Sequence, residues 1–226
     1  MFSEMTLKLL ENGKLLTAVW ETVAMTLVST GFGYLFGLPL GILLSVTAKG
    51  GLRPCPWLNR TVGFVVNIFR SVPFIILMVA FLPVAKAVVG TSFGNRAMTV
   101  MLVIAAAPYI ARMVESSLRE VPAGVIEAAQ SMGTPNLRII TRVLLPEAKP
   151  SLIVGAVISA VTVLGYSAMA STIGGGGLGM IAVTYGHERY NDDLIWISVV
   201  LTVLIVQIIQ EVGMRLSRVT DKRIRK

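Results

Sequence analysis

Long apolar runs separated by short charged clusters set the pattern of this chain. Val23 to Val46 carries no charge over 24 residues, about 36 Å of helix at 1.5 Å per residue. That is enough to cross a hydrocarbon layer about 30 Å thick with some tilt. Its Gly31, Gly33, Gly37 and Gly41 are read as a packing face, where small residues let membrane helices approach closely. Lys49 to Arg60 reads as a polar loop, and Thr61 to Val89 is apolar apart from Arg70 and Lys86. There Ser71-Val72-Pro73 predicts a helix start, so the core of a second span is placed after Arg70.

A third span is predicted between Arg96 and Arg112, which enclose 15 uncharged residues. Glu115 and Arg119 stand four apart in the favourable order, so this helix is expected to continue into water. Pro150 to Gly186 is free of charge, but Gly174 to Gly177 and Gly179 would break a helix. The fourth span is therefore predicted to end near Met169 to Thr172. Leu194 to Gln210 gives the fifth. The predicted class is an all-α polytopic membrane bundle of five spans.

Composition agrees with membrane insertion: among 226 residues 54% are hydrophobic and 14% charged, and mean hydropathy is +0.77. The net charge of +8 lies between and after the apolar segments, as in membrane loops, with no basic stripe for nucleic acid. With the amino terminus outside, Lys49, Arg53, Arg60, Arg119, Arg138, Arg142, Lys149, Arg215, Arg218, Lys222, Arg223, Arg225 and Lys226 fall inside. Lys8, Lys14, Lys86, Arg96 and Arg189 then fall outside, so the positive-inside rule selects this orientation. The mixture of Glu4, Lys8, Glu11 and Lys14 near the start does not read as a removable signal peptide. The single cysteine, Cys55, between Pro54 and Pro56, carries no functional signal.

The segment from about Glu115 to Lys149 has local structure written into it. Pro122 suits the first position of a short helix and Gly133 its stop. Thr134-Pro135 reads as cap and first residue of a second helix ending before Pro146. Val125, Ile126, Ala129 and Met132 share one face, and Leu137, Ile140 and Leu144 form a stripe on the other helix. From pattern alone these faces suit either the chain's own spans or another protein's groove.

Here Glu127-Ala128-Ala129, three residues, Gly133, nine residues, then Val143, Leu145 and Pro146 resemble the EAA motif of ABC importer permeases. Phe69-Arg70-Ser71-Val72-Pro73-Phe74, Ala111-Arg112-Met113-Val114-Glu115, Gly165-Tyr166-Ser167-Ala168-Met169 and the run from Gly174 to Leu178 are similar to the methionine-importer branch. Thr134-Pro135 departs from the usual residues after the motif glycine. The resemblance implies a type I importer permease fold and a single membrane domain over 1–226, with the transmembrane type-1 domain at about 17–211. It places a cytoplasmic coupling loop at 115–149, in which Glu127, Ala128, Ala129, Gly133, Leu145 and Pro146 engage an ATPase.

It further implies a homodimer in the inner membrane, two cytoplasmic ABC ATPase subunits and an extracytoplasmic methionine-binding protein. Methionine, L- and D-, would be carried by alternating access, with ATP and Mg held by the ATPase and no cofactor on this chain. Asn67, Ser71, Thr99, Ser159, Thr162, Tyr166 and Ser167 are candidate pathway residues, each of which could equally bond between helices. No Asp, Glu, His or Lys stands in the middle of a predicted span, which counts against a secondary transporter. The glycine run lacks the Lys-Ser or Lys-Thr of a phosphate loop. His187, Glu188, Asp192 and Asp193 read as a solvated or docking loop rather than a metal or catalytic set. Alternatives are a permease for another amino acid or small metabolite, an ATP-independent transporter or channel, and an intramembrane enzyme.

Overall fold

The computed structural model describes residues 4–221. The basic residues Lys222, Arg223, Arg225 and Lys226 lie outside the described residues, as do the side chains of Glu4 and Lys8. The helices run α1 Glu4–Glu11, α2 Lys14–Thr47, α3 Pro56–Ser71, α4 Phe74–Ala80, α5 Leu82–Val89, α6 Gly94–Arg119 and α7 Ala123–Ser131. After these come α8 Asn136–Ile139, α9 Leu145–Ser167, α10 Leu178–Met180 and α11 Asp192–Thr220. Among the described residues four segments are long and apolar enough to cross a membrane: Lys14–Thr47, Gly94–Arg119, Asn136–Ile173 and Asp192–Thr220. The fifth crossing is available only from the pair α3 and α4, bent by 104°.

That bend corrects the expected second span. Pro73 has no N–H and restricts its predecessor to extended backbone, and Val72 has φ −83 and ψ 126. The helix must therefore stop at Ser71 and restart at Phe74. The part after Arg70 is two short helices rather than one rod. Upstream, α3 already begins at Pro56, inside the stretch read as a loop.

The first span starts nine residues earlier than its uncharged core, so Glu21 lies within α2 and not before it. A membrane helix thus contains a carboxylate that the charge-free window hid. Gly33, Gly37 and Gly41 are buried on α2, where added Cβ atoms would meet Ala106, Ala107, Ile110, Ala111 and Val114 of α6. Gly31 is not part of this face; nothing lies within 4 Å of its Cβ position. The helix it meets, α6, is the most enclosed, with Ala97, Met98, Met101, Leu102, Ile110 and Val114 fully buried.

A second correction concerns Pro146. The helix after Pro135 does not end there but runs unbroken from Asn136 to Ile173. A proline inside a regular α-helix clashes with the carbonyl four residues back, here that of Arg142. The chain avoids this by widening into a π-helical turn at Ile140–Leu144, where Leu145 N–H donates to Ile140 O. The rod then tightens into a 3-10 turn at Ala168–Ile173 and ends at Gly174, φ +67, just past the Met169 to Thr172 stretch expected from sequence.

Candidate coupling and transport site

Residues 120–135 join α6 to the long rod and carry the motif. Pro122 precedes α7 and accepts a hydrogen bond from Val125 N–H, 3.1 Å, so it stands at the cap and not at the first helical position. Pro135 is likewise the cap of α8, one residue later than read from sequence. At the other end of α7, Gly133 N–H donates to Gln130 O (2.9 Å) and Thr134 N–H to Ala129 O (3.2 Å). This pair of bonds closes a helix when the residue after the cap is left-handed, and Gly133 has φ +70. The spacing from Ala129 to Gly133 is thus the spacing of a helix stop.

The turn presents one face inward and another outward. Ala129 is 4% exposed, with Val121, Ile139 and Leu144 buried beside it, and Ile126 and Leu145 pack on the same cluster. Glu127, Ala128 and Pro146 are exposed, as are Met132 (77%) and Leu137 (72%). Leu137 therefore leaves the stripe assigned to it, and Ile139 takes the buried place. Glu127 forms no ion pair with another described residue. An open cleft lies behind it, lined among others by Lys49, Leu52, Asn59, Arg119, Ile126, Glu127 and Gln130.

The last turns of α6 hold an ion cluster. Glu115 is buried and accepts from Arg112 Nη1 and Arg119 Nη2, both at 2.6 Å. Arg119 is exposed, so the helix reaches water as expected, but the carboxylate does not.

The candidate pathway residues do not converge. Asn67 and Ser71 are exposed on α3, where Ser71 Oγ donates to Asn67 O, 2.8 Å, and Asn67 Oδ1 accepts from Arg112 Nη2, 3.0 Å. Ser159 and Ser167 are buried and donate within their own helix to Gly155 O and Leu164 O, both 2.7 Å. Thr162 is half-buried and donates to Ile158 O, 2.9 Å. Thr99 does the same to Asn95 O, 2.8 Å. Tyr166 lies flat on Phe74, centroids 4.7 Å apart and 5° from parallel, which ties α9 to the short helix after the bend.

At the opposite end of the bundle, the glycine run is fastened down. Gly177 N–H donates to Glu21 Oε2 (2.8 Å), Gly176 N–H to Asn95 Oδ1 (2.6 Å) and Leu178 N–H to Thr22 Oγ1 (2.8 Å). A Cβ on Gly176 would collide with the Glu21 carboxylate. Glu21, Thr22 and Asn95 went unread in the sequence, although a carboxylate and a run of bare amides without a phosphate motif are complementary. Nearby His187, Glu188 and Asp192 are exposed. No three His, Cys, Asp or Glu residues cluster as metal ligands among the described residues.

An exposed EAA-type turn at one end of a bundle of four spans and a bent pair defines a class of transport permeases. Residues 37–226 match the family described as the binding-protein-dependent transport system inner membrane component, and the chain belongs to it. A Vibrio cholerae protein described as a probable D-methionine transport system permease protein MetI is 50% identical over 214 residues, 95% of each chain. The D-methionine transport system permease protein MetI of Escherichia coli K12 is 52% identical over 155 residues, covering 69% of this chain and 71% of its own.

Among solved structures, a chain of the MetNI methionine ABC transporter in inward-facing conformations superposes with a TM-score of 0.92. It is 47% identical, covering 98% of this chain and 100% of its own. A chain of an amino acid ABC transporter, 16% identical with a TM-score of 0.77 over 96% of this chain and 99% of its own, has the same fold. The fold is that of a type I importer permease.

Proposed function

We propose that this chain is the membrane-spanning permease subunit of an ATP-driven importer that carries methionine. The reading rests above all on the identity of 50% sustained over 95% of both chains with a permease of D-methionine transport. The exposed turn around α7 supplies the physical means. A helix whose outward face offers unpaired Glu127, small Ala128 and apolar Met132 suits a groove in a cytoplasmic ATPase.

In this reading the permease works as a homodimer with two ATPase subunits, which bind ATP and Mg, and an extracytoplasmic methionine-binding protein delivers substrate. This chain hydrolyses nothing itself. The distribution of lysine and arginine puts the amino terminus outside and α7 in the cytoplasm. The exposed apolar side chains of α11, among them Trp196, Val200, Leu204 and Ile208, then meet lipid or the second copy. Glu127, Ala128, Ala129 and Gly133 form the coupling turn, and Leu145 and Pro146 belong to it from the long rod, just past the π-helical turn. Ser71, Thr162 and Tyr166 keep partly exposed side chains and are assigned to the substrate path.

The test is ATP-dependent uptake of labelled methionine into proteoliposomes holding this chain, its ATPase and the binding protein. Glu127→Lys and Gly133→Trp are expected to abolish uptake while the permease dimer stays assembled. Uptake that survives both substitutions, or that needs no ATPase, refutes the reading.

A further inference from the structure

Arg112 and Glu115 make no hydrogen bond to α7. Yet Glu115 is the one buried carboxylate among the described residues. Arg112 is its neighbour one turn back and makes contacts that leave its own helix. Nη1 donates to Glu115 Oε2 at 2.6 Å, and Nη2 donates to both Gly63 O and Asn67 Oδ1 of α3 at 3.0 Å. These two acceptors stand one helical turn apart, so a single planar guanidinium resists sliding of α3 along α6. Close approach depends on Gly63, whose Cβ would lie 3.2 Å from Nη2. The Nε of Arg112 is buried with no acceptor, while the side chain as a whole is half-buried and held by its three Nη contacts.

We infer that Arg112, seated by Glu115 and gripping Asn67, is the positioning residue that carries displacement of α7 to α3 and on to the substrate path. The inference rests on the coupling role proposed for α7. Three residues, Glu120 to Pro122, separate α6 from α7, so a push on α7 arrives at the turn containing Arg119 and Glu115. Arg112 passes it sideways to α3. That helix is pinned at its start, where Asn59 Nδ2 donates to Leu44 O of α2 at 2.7 Å, and ends at the 104° bend before α4, with Phe69 against Phe81 beyond it, ring centroids 5.6 Å apart. Beyond the bend Phe74 lies on Tyr166. A contiguous set of contacts with a joint at Val72-Pro73 thus connects the coupling turn to the path.

The test uses Asn67 because it is exposed on α3 and its replacement leaves the buried ion cluster paired. In proteoliposomes with the ATPase and binding protein, Asn67→Leu is expected to lower methionine transported per ATP hydrolysed by about tenfold, the loss of one hydrogen bond to a charged group. The half-saturating methionine concentration should not change. Asn67→Asp keeps the acceptor and balances the second arginine, so it is expected to restore the wild-type ratio. A wild-type ratio in Asn67→Leu, with uptake abolished by Glu127→Lys, overturns this link alone. An equal loss in Asn67→Asp, or a raised half-saturating concentration in Asn67→Leu, also overturns it, since Asn67 would then act by lining the path. If Glu127→Lys leaves uptake intact, the coupling reading of α7 falls and this link with it.

Discussion

Gly31→Ala and Gly41→Ala make the same chemical change ten residues apart on α2, and the structure assigns them opposite outcomes. At Gly41 the new Cβ would stand 2.6 Å from Ala111 O and from Val114 Cβ. Carbon contacts settle near 3.5 Å or more, so α2 and α6 would have to part by about 0.9 Å at this crossing. Neither obstacle is the tip of a flexible side chain, and overpacking of this kind costs about 1–3 kcal/mol. At Gly31 nothing lies within 4 Å, and alanine has the better helix propensity, so the change is expected to be neutral within about 0.5 kcal/mol or favourable. Titration of the purified protein with SDS in mixed micelles, followed by fluorescence of Trp20, Trp57 and Trp196, measures both. Equal midpoints for the two variants, or a Gly31→Ala protein less stable than Gly41→Ala, would refute the packing argument.

Glu115→Ala leaves two partly exposed arginines without their buried carboxylate and should destabilise the protein by about 1.5–3 kcal/mol in the same titration; a change under about 0.5 kcal/mol would mean that the cluster is solvated. Gly176→Ala drives the Glu21 carboxylate off the glycine run, and the amide of Gly177, which it holds, should then exchange hydrogen about tenfold faster; unchanged exchange would contradict the fastening. Gly133→Ala forces a side chain into the left-handed region at a cost of about 1 kcal/mol, whereas Gly133→Asn should cost less, since asparagine visits that region more readily. Equal losses of thermal stability in these two variants would show that φ is not what selects glycine there.

How much of this was legible in the sequence varies with how local the cause is. The glycine stop at Gly133 follows from residues within a turn or two and is found, and the fourth span, expected to end near Met169 to Thr172, ends at Ile173. The 104° bend was half legible: Pro73 was read as the start of a helix, which is correct, but a start is also a stop for what precedes it. Pro146 was read as a terminator because a proline usually is one, but the π-helical turn just before it keeps the helix going. Glu21 was missed because a window of uncharged residues begins after it. Its partner at Gly177, like the Leu178 partner of neighbouring Thr22, is more than 150 residues away in sequence. The serines of α9 illustrate the reverse error. Polarity at midspan suggested a path, yet Ser159 and Ser167 spend their hydroxyls on their own backbone.

Unbroken passage of the helix through Pro146 turns residues Asn136 to Ile173 into a lever. Its 38 residues measure about 57 Å at 1.5 Å per residue, with one tip beside the Gly133 stop and the other joined to the glycine run that clasps Glu21. Pivoting such a rod by about 5° at its midpoint would sweep each tip through about 2.5 Å in opposite directions, given that length. A chain broken at Pro146 would absorb that rotation in a flexible elbow; this one delivers it across the full thickness of the membrane.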